Sequence, residues 1–297
     1  MSGRRKARTE SNYPEGADFL EGTFRMELAC TTTTKRAIPQ MGNLAPQTWS
    51  HLGTCLSLLD RLATCHWECS GGDHTCERLV LRTLNAIRAG ISLTRAGFYD
   101  EALNTLRGAS EIVNLLQLFE LDPKSFHRWR QADASERWDL ASPGKVRKML
   151  EELGQASLLD KDRYDQLSQI VHGTTTSAPQ EHNPLEVPMA GGHFQYGGFL
   201  VALNDAALVT ALLMLPATSL IPLTRERWTR FHDAAELLVE NTDFVGLEQA
   251  AETHAQERAR PEWQEIGRLI REQQEQHQGP RGCPVCRGTL MAVPPGL

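Results

Sequence analysis

The sequence predicts an all-α protein, a helical bundle built around an antiparallel helical hairpin. Three observations predict it. From Gln47 onward apolar residues recur at spacings of three and four, the pattern of helices that bury one face. Gly, Pro and Ser-Pro breaks divide the chain into pieces of helical length. No alternation of period two persists, so no strand is expected.

Composition bounds the class. The 297 residues are 40% hydrophobic, 23% charged and 6% aromatic, inside the globular range and away from collagen, wholesale disorder or a membrane bundle. A formal charge of −6 gives no overall positive field to draw the molecule to nucleic acid or anionic lipid. No apolar stretch follows the N-terminal basic residues, and the seven cysteines are an odd number, so a reducing cytoplasm is expected rather than a disulfide framework.

Residues 1–46 carry no sustained period and read as a flexible N-terminal arm with one ordered segment, tipped by Arg4, Arg5, Lys6 and Arg8. Residues 47–221 read as the bundle core. Its first helix has the stripe Leu52, Leu56, Leu59, Leu62 and Ala63, and the glycines at 71 and 72 should stop it. Asp73 is placed to cap the second helix, whose face is Val80, Leu84, Ile87 and Ile91, up to Gly97. The third, about 98–120, buries Ala102, Leu106, Ala109, Val113 and Leu116 until Asp122 and Pro123 close it. The short link at Gly97 makes these two the hairpin.

Ser142 and Pro143 start a helix over 145–153, and another over 160–171 puts Tyr164, Leu167 and Val171 on one side. A polar stretch, 173–198, follows; loops of that length are more often functional than idle. The apolar 199–221 carries Asn204, Asp205 and Pro216, which leaves an uninterrupted run shorter than the ~20 residues a membrane span needs. It reads as a core helix over 199–215, with no membrane. Residues 222–277 read as a helical extension opened by Thr224 and broken at Pro261, whose charge pattern makes a homodimer the expected assembly, and 278–297 as a tail. Gly97, Tyr99 and Ala102 resemble a tetratricopeptide unit, but no second copy follows, so a repeat array is not expected.

Three groups of side chains can carry chemistry. Cys283-Pro-Val-Cys286, followed by Gly288, has the shape of half a zinc knuckle, in which two thiolates on a tight turn grip one tetrahedral ion. His277, the first cysteine cluster or a second chain can complete it; the alternative is a pair of idle thiols. That cluster, Cys65, His66, Cys69, His74 and Cys76, offers thiols and imidazoles across the first interhelix turn, and zinc competes there with simple packing of small apolar cysteines. The third group is Arg107, Glu111 and Asn114, stacked on one helix by spacings of four and three, with His172 ending a later helix. An imidazole facing that carboxylate and guanidinium can act as acid or base, while arginine can hold a phosphate; otherwise the stripe is a solvated ion pair. P-loop, dinucleotide-binding, zincin and hydrolase-elbow motifs are absent from the sequence.

Tyr99-Asp-Glu-Ala-Leu, Arg107, Glu111 and Asn114, followed by Tyr164, Leu167, Ser168, His172 and Gly173, resemble the helical cores of HEPN-like families over about residues 75–215. These include abortive-infection proteins, so the resemblance implies RNA as a partner and a setting in phage defence or stress response. Active HEPN ribonucleases carry an Arg-x4-6-His motif that drives metal-independent attack by the RNA 2′-hydroxyl. Here Arg163 lies too far before His172 to match, and Arg227 and His232 match in spacing but lie outside the resembling core. The resulting expectation is a binding module, with an endoribonuclease using His172 and Arg107 as the alternative.

Overall fold

A computed structural model describes residues 16–41, 44–67, 74–171 and 191–244. Among them are ten α-helices and no strand: α1 Gly16–Ala37, α2 Ala45–Ala63, α3 Thr75–Ala96, α4 Tyr99–Leu121, α5 Pro123–Gln131, α6 Ala134–Leu140, α7 Pro143–Glu152, α8 Lys161–Val171, α9 Tyr196–Leu220 and α10 Arg225–Glu240. The chain is an all-α helical bundle. The basic tip, Cys69, Asp73, His172, Cys283, Cys286 and residues 245–277 of the extension lie outside the described residues.

The hairpin forms as its periodicity requires. Val80, Leu84 and Ile87 of α3 and Ala102, Leu106, Ala109, Val113 and Leu116 of α4 are all fully buried. Gly97 turns the chain in the left-handed region (φ 85°), and the Phe98 amide donates back to Leu93 O at 3.0 Å, which closes the end of α3. Helix α9 then lies against α2, α3, α4 and α10. Although α9 is long and apolar enough to cross a membrane, 83% of its most apolar window is buried within the bundle. Helices α7 and α8 pack on α4, and α1 packs on α3.

Several boundaries differ from expectation for physical reasons. Helix α2 ends at Ala63, before the paired glycines, because Cys65 turns into the left-handed region (φ 53°). Asp122 ends α4 and also starts α5: its carboxylate accepts from Lys124 N (3.1 Å) and Ser125 Oγ (2.6 Å). Pro216 does not end α9, which continues to Leu220. Gly197 and Gly198 belong to the first turn of α9 rather than to the polar stretch, and Gly198 lies against the Tyr99 ring, where a Cβ would come within 2.6 Å.

Residues 16–37, inside the aperiodic N-terminal stretch, form a 22-residue helix. Its apolar residues Leu20, Phe24 and Leu28 recur every four positions but are exposed, and only Cys30 and Thr34 of its side chains are buried. Thr32 and Thr33 keep helical backbone by returning their hydroxyls to Leu28 O and Ala29 O, whereas Thr34 reaches across to Arg95 O of α3 (3.1 Å).

Candidate functional site

The polar stripe of α4 faces α7, α8 and the segment between them. Arg107 Nη1 donates to Ser168 Oγ (3.2 Å) and approaches Tyr164 Oη at 3.5 Å, while Nη2 stands 4.0 Å from Glu111 Oε1. The Tyr164 hydroxyl in turn donates to Glu111 (3.2 Å). Both Arg107 and Arg147 of α7 lie over the Tyr164 ring, at 5.5 and 4.4 Å from its centroid. Arg107 and Glu111 are therefore brought together, in a three-helix junction that also draws in Arg147, which the sequence reading missed. Arg107 Nε and Arg147 Nη1 are buried there without an acceptor.

One turn further along, Asn114 is committed to the backbone. Its Nδ2 donates to Leu159 O (3.2 Å) and its Oδ1 accepts from Leu159 N (2.9 Å). Gln117, three residues on, repeats the arrangement: Nε2 donates to Ala156 O (2.8 Å) and Oε1 accepts from Leu158 N (2.9 Å). The two amides hold the α7–α8 connection as a neighbouring strand would, satisfying the buried backbone groups of Leu159 and the partly buried ones at Ala156 and Leu158. Asn114 is buried (6% exposed), so it is a positioning residue for that connection.

Helix α8 is fixed from its other side by Arg163. Its guanidinium grips Asp205 of α9 with two donors, Nε to Oδ1 at 3.0 Å and Nη2 to Oδ2. Asp205 is 4% exposed at its side chain. Burial pushes its carboxyl above the ordinary range, and the Arg163 charge and hydrogen bonds pull it back. In the sequence Asp205 stands out only as an acid interrupting an apolar helix, because its cation lies 42 residues earlier.

The pair with ribonuclease spacing diverges. Arg227 Nη1 donates to Trp67 O (3.2 Å) and its guanidinium stacks on the Trp67 ring, whereas His232 stacks on Trp228 with centroids 5.3 Å apart.

Across the α2–α3 connection Cys65 Sγ lies 3.6 Å from His74 Nδ1, which lies 3.4 Å from Glu77 Oε1. Glu77 replaces Cys76 in the expected group, since Cys76 turns into the hydrophobic core. Its signal was legible as an acid three residues after a histidine at a helix start. Cys30 and Cys55 are packing cysteines; burial pushes their thiols up to about 11 and about 12, and the Cys55 thiol donates to Ala234 O (3.3 Å).

No protein-family model, curated protein or solved structure matches the chain.

Proposed function

We propose that the chain is a non-catalytic binding module built on a HEPN-like helical core. The observation that carries this reading is the use made of the α4 stripe. Arg107 bonds to Ser168 of α8, and Asn114 and Gln117 bond to four backbone groups between α7 and α8. Side chains with those partners hold helices together, and a catalytic group must instead keep its working atoms free for substrate.

One observation favours the second reading, a metal-independent endoribonuclease using His172 and Arg107. Arg107 Nε and Arg147 Nη1 are buried without an acceptor, and both guanidinium groups lie on the Tyr164 ring, so an opening of this junction would present two cations to a phosphate. Full-length protein incubated with structured, unstructured and transfer RNA in EDTA separates the two. The binding module leaves all three intact. Cleavage that persists in EDTA and vanishes in folded Arg107→Ala and His172→Ala overturns it.

A further inference from the structure

We propose that Cys65, His74 and Glu77 form a tetrahedral site for a zinc-class divalent cation, closing the connection between α2 and α3. This site is separate from the α4 stripe and does not rest on the binding-module reading. The separations carry the argument. With Zn–S near 2.3 Å, Zn–N near 2.05 Å and Zn–O near 2.1 Å, tetrahedral angles put sulfur and nitrogen about 3.6 Å apart, and nitrogen and oxygen about 3.4 Å apart. The observed Sγ–Nδ1 and Nδ1–Oε1 distances are 3.6 and 3.4 Å, with all three ligand atoms within 4.8 Å of one another.

The same nitrogen makes both contacts. In a nucleophilic Cys–His–acid relay the thiol and the acid engage opposite ring nitrogens, so that a proton can cross the imidazole. Here Nδ1 stands beside both sulfur and carboxylate, so the three donor atoms lie close enough to share one ion. Thiolate, carboxylate and neutral imidazole supply two negative charges, which balance a divalent cation without a further counter-ion.

The backbone is shaped for it as well. Cys65 and His74 are the only non-glycine residues among those described with φ in the left-handed region, both at 53°. Each adopts a conformation that side chains disfavour, on either side of one connection. Arg227 braces the end of α2 through Trp67 O, two residues past Cys65. The His74 and Glu77 side chains are 33% and 15% exposed, so an ion can reach the site and a water or exchangeable ligand can take the fourth position.

Cobalt is the probe, in the full chain with Cys283→Ser and Cys286→Ser so that the C-terminal thiols cannot contribute. Metal-free, reduced protein is expected to bind one equivalent and to show a near-ultraviolet thiolate-to-cobalt band. Zinc displaces it and raises the unfolding temperature, as any ligand of the folded state does. Cys65→Ser removes the band and the zinc-induced rise. His74→Gln weakens binding while keeping the cooperative unfolding of the metal-free parent, and serves if the cysteine variant fails to fold. Absence of a band in the parent, or a band and affinity unchanged by both substitutions, overturns the site.

Discussion

Arg163→Ala is expected to destabilise the protein by about 3–5 kcal/mol, the cost of leaving one member of a buried ion pair uncompensated. Asp205 sits on a helix that α2, α3, α4 and α10 surround, and its side chain is 4% exposed, so water cannot replace the guanidinium. The loss should depend on pH in a definite sense. Burial already raises the Asp205 carboxyl above its ordinary 3.8, and removing Arg163 removes the charge and hydrogen bonds that oppose the rise. A folded-state pKa raised above the unfolded one gives stability that is full below the unfolded value and is lost as pH climbs through the folded value. Urea unfolding of the variant should therefore show a smaller deficit relative to wild type at about pH 4–5 than at about pH 7. Arg163→Leu combined with Asp205→Leu should recover most of the loss, since an apolar pair needs no compensation. A change in Arg163→Ala within about 0.5 kcal/mol, the range of ordinary surface substitutions, would contradict the assignment of this pair as the tie between α8 and α9.

Gly192→Ala should destabilise by about 3 kcal/mol, the upper end of what overpacking costs. A Cβ there would stand 1.6 Å from the Ala96 carbonyl oxygen and 2.7 Å from its carbon. Both atoms belong to the last residue of α3, and backbone inside a packed hairpin cannot rotate away as a flexible side chain can. The segment leading into α9 must lift off the α3–α4 turn, and with it the bond from Gln195 N to the buried Tyr99 hydroxyl (2.9 Å). Gly108→Ala is the contrast. It lies exposed within α4 with nothing within 4 Å of an added methyl, so it should gain about 0.5–1 kcal/mol from helix propensity. Thermal unfolding of the two variants checks both signs together, and equal midpoints for both would sink the steric account.

These effects show which parts of the molecule the sequence could disclose. Helices α2, α3 and α4 were legible because each buries apolar residues at helical spacing, and that spacing is local, whereas α9 was legible as a nearly continuous apolar run that the bundle buries on almost every face. Helix α1 was not, since its Leu20, Phe24 and Leu28 recurrence is short, faces solvent and gives way to four threonines, of which Thr32 and Thr33 bond within the helix and Thr34 reaches α3. The α4 stripe was legible as a stripe, because Arg107, Glu111 and Asn114 stack by spacing alone. Of its partners, Tyr164 and Ser168 stood out only through the family resemblance, while Arg147 and the 156–159 backbone gave no signal, because they meet the stripe only when α7 and α8 fold back on α4. The Arg163–Asp205 pair is the extreme case, as nothing in the intervening 41 residues marks the two as partners. Glu77 lies between these limits, local to His74 yet passed over in favour of a third cysteine.

The α4 stripe holds helices together through Arg107, and the stability of Arg107→Ala measures that hold. A residue kept for catalysis or ligand capture is held at some expense to the fold, and its removal leaves stability unchanged or raised. A structural residue behaves oppositely. Urea unfolding of Arg107→Ala is expected to show a loss of about 1.5–2 kcal/mol, from its hydrogen bonds to Ser168 and Tyr164 and its place on the Tyr164 ring. Stability equal to or above wild type, in a variant that no longer binds or cleaves an RNA that wild type does, would contradict the account.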